Sequence, residues 1–360
     1  MCISPVRIRN PNYHSKNPYG KFKDTSSLYI NVPCGHCCEC VSTRQMSFTQ
    51  RVQMESLDNH IFFATLTYND DSLPVCETST GFRIKYAAID DVQKMMKRLR
   101  KSDAFGRPFR YCGVTERGSV HGRPHVHLLF FVPKQDGDDF NHVLNLERVL
   151  YDAVRLEWRR NLGSTRKPIW QPLFTFCQKM VRGRLNSNFD LHYVNPRTSD
   201  NGELDVAFYV SKYIIKPSDK DRKLQQALHL NLPLDEYYKV WNLVKSRYFA
   251  SVGFGYNNSE SVRKYIRGCV ADSLRSSPMP CFYNKDNGKS FPLSRYYKSK
   301  GDLYSVDDAV AFWNKSHPVD NVAMDDDHIS EKLRKIEKFN HRVELMDQHD
   351  KVDFIPEFYE

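Results

Sequence analysis

Apolar residues follow two different periods along this chain, and they separate segments that favour strands from segments that favour helices. Residues 61–68 are apolar at nearly every position, which is typical of a central strand covered on one face by helices. Residues 110–116 and 124–132 have the composition of two further strands, and the glycine-containing segment 117–123 between them predicts a hairpin.

Other segments repeat their apolar residues every three or four positions, which is the period of a helix with one buried face. The clearest is 90–101, whose stripe is formed by Val92, Met95, Met96 and Leu99. Segment 205–217 has Asp200 as a candidate N-cap, Glu203 as its capping-box partner, and a proline at its end. Further helices are predicted at 42–57, 144–161, 234–246 and 259–269.

The order of these elements predicts the fold class. Strand, helix, hairpin, helix, strand and helix in one compact unit indicate an antiparallel sheet backed by helices, the α+β class. We expect an N-terminal arm and helix over 1–57, a core over 58–217, a C-terminal extension over 218–300 that packs on the core, and a tail over 301–360.

Charge is distributed unevenly over the 360 residues. The formal net charge is +10, but residues 301–360 hold 15 acidic and 7 basic side chains, so that the first 300 carry a net +18. A basic body favours a polyanionic partner such as nucleic acid. No Walker-type phosphate loop occurs, so an ATP-driven helicase is not encoded in these residues.

The chain contains 10 cysteines, and three of them have a spacing that suits a metal. Cys34, Cys37 and Cys40 form a C-x-x-C-x-x-C pattern that could hold Zn²⁺, although no second C-x-x-C pair follows to complete four ligands. Ordinary free thiols are the alternative. We expect no membrane span, since no window approaches the length of about 20 apolar residues that a span requires. We also expect no secretory signal, because the N-terminal residues lack a continuous apolar run. A reducing cytosol is then the default, so we expect no disulfides.

The predicted hairpin carries a candidate metal site. Residues two apart on a strand project to the same face, so His125 and His127 line one patch, and the hairpin brings Glu116 close to His125. Two imidazoles and a carboxylate suit one divalent cation with open coordination positions. Asp70 and Asp71 are alternative ligands. The simpler interpretation is that these are ordinary strand residues and a solvated glutamate.

The predicted helix 205–217 carries the candidate nucleophiles. Tyr209 and Tyr213 are four residues apart, which places them about one turn from each other on one face, with Lys212 beside them. A metal patch together with paired tyrosines suits phosphodiester chemistry. Alternatively, both tyrosines are packing residues at the edge of an apolar stripe.

These motifs resemble those of the HUH endonucleases, and specifically the two-tyrosine replication initiators of microvirus-type (gokushovirus-like) phages. Their first motif is similar to FFATLTY at 62–68, the second to His-Val-His at 125–127, and the third, Y-x-x-K-Y, to residues 209–213. The resemblance extends to VPCG at 32–35 and FPLSRYY at 291–297. The three motifs occur in the expected order across about 150 residues.

The resemblance implies a ferredoxin-like HUH core that nicks and rejoins single-stranded DNA. Glu116, His125 and His127 would hold Mg²⁺ or Mn²⁺, and Tyr209 or Tyr213 would form a 5′-phosphotyrosine at the origin of a rolling-circle genome. We also expect Arg117 and Arg123, which flank the metal, to hold the scissile phosphate. Implied partners are the single-stranded origin and the host DNA polymerase and helicase, and the implied location is the host cytoplasm.

Three alternatives remain. Plasmid initiators, relaxases and HUH transposases share the same chemistry. A metal-dependent phosphoesterase would hydrolyse nucleotides through activated water, without a covalent protein adduct. A non-catalytic nucleic-acid-binding module would use only the basic surface and would be indifferent to metal.

Overall fold

The structure is a computed structural model, and it describes most of the chain up to residue 298. The described residues are 5–10, 28–35, 37–103, 106–118, 122–174, 176–181, 184–187, 189–194, 219–256, 259–273, 281–283, 290–298, Arg334 and Glu337. The predicted helix 205–217, with its candidate cap at Asp200 and Glu203, lies outside these residues, as does nearly all of the tail.

The structure describes 15 strands and seven helices. The strands are β1 (Val6–Arg9), β2 (Tyr29–Val32), β3 (Asn59–Thr67), β4 (Val75–Glu77), β5 (Arg83–Lys85), β6 (Arg110–Arg117), β7 (Pro124–Pro133), β8 (Arg159–Asn161), β9 (Trp170–Pro172), β10 (Phe176–Val181), β11 (Arg184–Ser187), β12 (Phe189–Tyr193), β13 (Tyr248–Ala250), β14 (Cys281–Tyr283) and β15 (Ser290–Pro292). The helices are α1 (Cys38–Asp58), α2 (Ile89–Ser102), α3 (Phe140–Glu157), α4 (Asp219–Asn231), α5 (Leu234–Val244), α6 (Glu260–Ser273) and α7 (Arg295–Lys298).

The largest described sheet has five strands in the order β12-β3-β7-β6-β13, and every neighbouring pair is antiparallel. Along the chain its core reads β3, α2, β6, β7, α3, β12. A strand-helix-strand-strand-helix-strand unit in which the fourth strand lies beside the first is the ferredoxin-like arrangement. The predicted α+β class is therefore confirmed, with β13 added at the β6 edge.

Helices α2 and α3 cover one face of this sheet. The apolar stripe of α2, formed by Val92, Met95, Met96 and Leu99, is buried as the sequence predicted. It packs in one core cluster with alternate strand residues such as Leu128 and with Trp158 just after α3. This continuous apolar layer fixes the register of the strands, because a shift by one residue would expose it.

Among the described residues, α1 and Phe254 cover part of the opposite face. Phe48 and Val52 of α1 pack on Phe63, Leu129 and Phe131 of the central strands. This contact lies in the later part of β7. The two histidines lie near the start of β7, next to this apolar patch, so the packing of α1 holds in place the strands that carry the candidate site.

Several helix boundaries differ from the predicted ones. Helix α1 begins at Cys38 rather than at residue 42. Helix α3 begins at Phe140 rather than at 144, because Asp139 caps it by accepting a hydrogen bond from the His142 N–H. It ends at Glu157, since the next residues form β8 and pair with β9, which the helical pattern did not reveal.

The chain after residue 218 adds to the core. Helix α4, which the sequence reading missed, packs with α5 through Leu224, Leu228 and Val240. Strand β13 pairs with β6. No helix among the described residues is long and apolar enough to cross a membrane.

Candidate metal centre

The register of three strands brings the candidate ligands to one face of the sheet. Strands β6 and β7 pair Glu116 with His125, and β3 and β7 pair His125 with Thr67 and His127 with Thr65. Residues directly opposite each other in an antiparallel pair project to the same face. All five side chains therefore lie together on one face, at an end of the sheet that α1 does not cover.

Three ligand atoms converge at the centre of this group. Oε2 of Glu116 lies 2.9 Å from Nε2 of His127 and 3.3 Å from Nε2 of His125. The two Nε2 atoms are 3.0 Å apart. His127 is buried, and the side chains of Glu116 and His125 are 13% and 16% exposed, so a solvent-facing side remains.

Outer hydrogen bonds orient both imidazoles. Nδ1 of His125 lies 3.1 Å from the carbonyl oxygen of Arg123. Because a carbonyl only accepts, Nδ1 carries the proton, and in the neutral ring Nε2 presents its lone pair to the centre. Nδ1 of His127 lies 3.0 Å from Oγ1 of Thr65. Its ring also stacks on Phe63, with centroids 5.5 Å apart.

The spacing of the three atoms fits a divalent cation. Ligands at about 2.1 Å from an octahedral ion lie about 3.0 Å apart when they occupy neighbouring positions. The observed separations are 2.9, 3.0 and 3.3 Å. Oε2 of Glu116 is buried and makes no hydrogen bond of good geometry with any residue that the structure describes, despite these short separations. A cation at the centre would satisfy the carboxylate and both lone pairs at once.

The charge state of Glu116 agrees with this role. Burial alone would raise the pKa of Glu116, but interactions with His125 and His127 outweigh it, so the pKa of this carboxyl lies below its ordinary value. The carboxylate is therefore ionised at neutral pH, as a metal ligand must be.

The alternative ligands do not join this centre. Asp70 is exposed, and its Oδ1 lies 2.6 Å from Nη1 of Arg123, which lowers the pKa of that carboxyl. Asp71 is also exposed. Arg123 additionally donates to the carbonyl of Tyr68 at 2.6 Å. It thus stands at the rim of the centre, where we predicted it, but it is paired with Asp70.

The structure does not place Arg117 at the centre, and our expectation that it holds a phosphate there is wrong. Arg117 is buried and lies on the opposite face of β6 from Glu116, where it pairs with Asp221 at 3.2 Å and donates to the carbonyls of Lys85 and Val244. Strand alternation predicts this orientation of Arg117, because the residue after a glutamate that faces the site points to the opposite face of the sheet.

The candidate nucleophiles Tyr209, Lys212 and Tyr213 lie outside the described residues. Thr65 and Thr67 share one face of β3 beside the two histidines. The sequence analysis did not identify the hydrogen bond between Thr65 and His127 or the stacking of Phe63 on His127. Phe63, Thr65 and Thr67 are spaced two apart on β3, and this spacing could have indicated that all three face the histidines.

A second group of possible ligands lies at the start of α1. The thiols of Cys34, Cys37 and Cys40 lie within 4.8 Å of one another. These two groups are the sets of three or more potential metal ligands found in the part of the chain that the structure describes.

Comparison with known proteins defines the class to which this fold and centre point. Residues 61–218, which include nearly all of the ferredoxin-like core and all three sequence motifs, match a family whose description begins with replication-associated protein ORF2. The match therefore relates this core to replication-associated proteins.

A particular relative is the replication-associated protein ORF2 of Spiroplasma virus 4. It is 25% identical over 146 aligned positions, which cover 36% of this chain and 44% of that protein. The chain thus spans less than half the length of the curated relative that it matches. No solved structure matches the chain. Together these matches support a microvirus-like replication initiator, and they confirm the resemblance that the motifs predicted.

Proposed function

We propose that this protein nicks and rejoins single-stranded DNA at a phage origin, to start and terminate rolling-circle replication. The observation that carries the proposal is the convergence of Glu116, His125 and His127 on the face of a ferredoxin-like sheet opposite α2 and α3. This centre lies inside the segment that matches the replication-associated family.

The three side chains would hold Mg²⁺ or Mn²⁺. Carboxylate and imidazole together suit Mn²⁺, whereas Mg²⁺ prefers oxygen, so the donor set admits both without choosing. When bound, the cation supplies positive charge against a phosphoryl oxygen of the scissile phosphate. The hydrogen bonds between Thr65 and His127 and from His125 to the Arg123 carbonyl keep the two rings turned toward that position.

The nucleophile in this proposal is the phenol oxygen of Tyr209 or Tyr213. It attacks phosphorus, a tyrosine-phosphate bond forms, and the bond from phosphorus to the 3′ oxygen breaks. The leaving 3′ oxygen takes up a proton and becomes a free hydroxyl that can prime synthesis. Tyrosine has an ordinary pKa of about 10, so Lys212 would favour the phenolate at neutral pH.

Two tyrosines allow the ends to be exchanged. One tyrosine retains the first 5′ end while the other cuts after a round of synthesis, and the new 3′-hydroxyl then attacks the first phosphotyrosine to close the circle. Each step exchanges one phosphodiester for another, so no external energy source is needed. The host DNA polymerase and helicase would act on the nicked strand in the host cytoplasm.

Covalent trapping tests the nucleophiles. The protein is incubated with Mn²⁺ and labelled single-stranded oligonucleotides that include a cognate nick site, and the adduct is located by mass spectrometry. We expect an adduct with the native chain, none with the double variant Tyr209→Phe and Tyr213→Phe, and a normal yield with Tyr238→Phe, which alters an exposed tyrosine of α5. An adduct in the double variant would refute the assignment.

Separate variants test the metal ligands. Cleavage by His125→Ala should fall by at least about 100-fold, while affinity for the oligonucleotide stays within about threefold, because binding rests on the basic surface. Hydrolysis without any adduct in the native chain would instead favour a phosphoesterase. Salt-dependent binding with no metal-dependent cleavage would favour a non-catalytic module.

A further inference from the structure

The three thiols at the start of α1 form a group that the proposed nicking reaction does not use. Sγ of Cys34 and Sγ of Cys40 are 3.9 Å apart, and Sγ of Cys37 lies within 4.8 Å of both. The cysteines are partly buried and are not joined by disulfides. The group is also separate in chemistry from the carboxylate and imidazole centre on the sheet.

The sulfur spacing distinguishes among the possible states of such a group. A disulfide requires a separation of about 2.05 Å. Two thiolates on one tetrahedral Zn²⁺, each at about 2.3 Å from the ion, lie about 3.8 Å apart. In a 4Fe–4S cluster each cysteine binds a different iron, which holds the cysteine sulfurs farther apart. The observed 3.9 Å matches two thiolates that share one tetrahedral ion.

The backbone around the thiols favours their charged form. The N–H of Cys37 donates to Sγ of Cys34 at 3.3 Å. Gly35 adopts a φ of +80°, which turns the chain between these two cysteines, and Nη2 of Arg44 donates to its carbonyl at 3.1 Å. Cys40 lies in the first turn of α1, where the positive end of the helix dipole stabilises a thiolate.

We propose that Cys34, Cys37 and Cys40 bind one zinc ion as thiolates, with a fourth donor completing the tetrahedron. The separation of Cys34 and Cys40 already matches that of two thiolates on such an ion, and Sγ of Cys37 lies within 4.8 Å of both. Soft thiolates select Zn²⁺ over Mg²⁺ or Mn²⁺, so this ion is structural and does not exchange with the one at Glu116.

The ion has a structural purpose at this place in the fold. Within the described part of the chain, strands β1 and β2 pair only with each other, and their side chains are mostly exposed, including Val6, Ile8 and Tyr29. None of their described residues belongs to a core cluster. An isolated two-stranded hairpin is marginally stable. A zinc ion that joins Cys34, just after β2, to Cys40 of α1 would attach this hairpin to the core.

Metal analysis of the full-length protein, purified under reducing conditions without chelator and then desalted, tests the proposal. We expect about one zinc per chain in the native protein, in Cys76→Ser and in the double variant Glu116→Gln and His125→Ala. We expect less than about one tenth of this amount in the double variant Cys34→Ser and Cys40→Ser. The proposal would be overturned if zinc persisted in the double cysteine variant. It would also be overturned if zinc were lost from the Glu116 and His125 double variant but kept in the cysteine variant.

Cobalt provides a readout that does not depend on folding of a variant. Replacing zinc with Co²⁺ in the native protein should produce a thiolate-to-cobalt charge-transfer band in the near ultraviolet, together with the visible bands of a tetrahedral ion. Absence of the thiolate band would refute the site. Removing zinc should also accelerate hydrogen exchange in peptides that cover β1 and β2 by at least about tenfold, and leave β3 unchanged. Equal protection with and without zinc would exclude the attachment role.

Discussion

The orientation of the two imidazoles depends on single atoms outside the predicted coordination sphere. His125 is held by a backbone carbonyl, which no substitution removes, whereas His127 is held by the hydroxyl of Thr65. Such outer partners fix the ring and raise its basicity as a ligand. Thr65 is therefore a positioning residue that a conservative substitution can test.

Replacing Thr65 with valine should weaken Mn²⁺ binding by about 10-fold to 100-fold, because His127 loses its hydrogen bond while the shape of the strand is kept. Titration calorimetry of the full-length protein measures this. Thr67→Val is the matched control, since Thr67 lies on the same face of β3 and its buried Oγ1 makes no hydrogen bond within the described residues. Equal affinity in the Thr65 variant and the native protein would contradict the positioning role.

The position of Arg117 on β6 places its side chain in a buried ion pair. Its side chain and that of Asp221 are 6% and 2% exposed, so the ion pair is almost fully removed from water. Burial lowers the pKa of the Arg117 guanidinium, and Asp221 offsets part of that effect. The pair links the end of β6 to α4, which makes it a contributor to stability rather than to DNA contact.

Arg117→Met should reduce the free energy of unfolding by about 3–5 kcal/mol, because Asp221 remains buried without its main cationic partner. Urea denaturation measures the change. In contrast, Arg83→Met should cost less than about 1 kcal/mol, since Arg83 and Glu77 are 55% and 70% exposed. A loss of similar size in both variants would mean that burial of the Arg117 pair has no special energetic role.

At the scale of elements, the sequence predicted the sheet better than the helix ends. Alternation and apolar runs located β3, β6 and β7 and placed Glu116 beside His125, because strand geometry determines which residues share a face. Helix ends depend on neighbours that are distant in sequence. Helix α3 ends at Glu157 because the residues that follow it form β8, which pairs with β9 at 170–172. The same reasoning explains why α4, with a short apolar stripe, was not predicted.

The hairpin that carries the site also depends on a glycine. A Cβ at Gly113 would lie 2.6 Å from the His127 carbonyl oxygen and 2.8 Å from the ring of Phe249. Gly113→Ala should therefore destabilise the protein by about 1–3 kcal/mol, because backbone and ring must both shift. Thermal unfolding followed by circular dichroism measures this.

Gly268 provides the comparison for this prediction. It is an exposed glycine in helix α6, and a Cβ there would meet nothing within 4 Å. Gly268→Ala should raise stability by up to about 1 kcal/mol, through the higher helix propensity of alanine. If Gly113→Ala were equally stabilising, the close approach of β13 to the hairpin would be wrong.

At the scale of the whole molecule, charge separates a basic body from an acidic tail. The first 300 residues carry a net +18 and the last 60 a net −8. Opposite charges on one chain attract, so the tail can compete with DNA phosphates for the basic surface. Charge alone carries this expectation, whereas the path of the DNA in the proposed reaction also depends on the segment that holds Tyr209 and Tyr213.

Neutralising three adjacent tail charges tests the competition without shortening the chain. The variant Asp325→Asn, Asp326→Asn and Asp327→Asn should bind a single-stranded oligonucleotide about threefold more tightly at about 50 mM salt, as fluorescence anisotropy would record. The gain should disappear at about 300 mM salt, where the Debye length falls to roughly 6 Å and charges on a tail no longer reach the surface. A gain that persists at high salt would indicate that these aspartates block DNA by direct contact and not by charge.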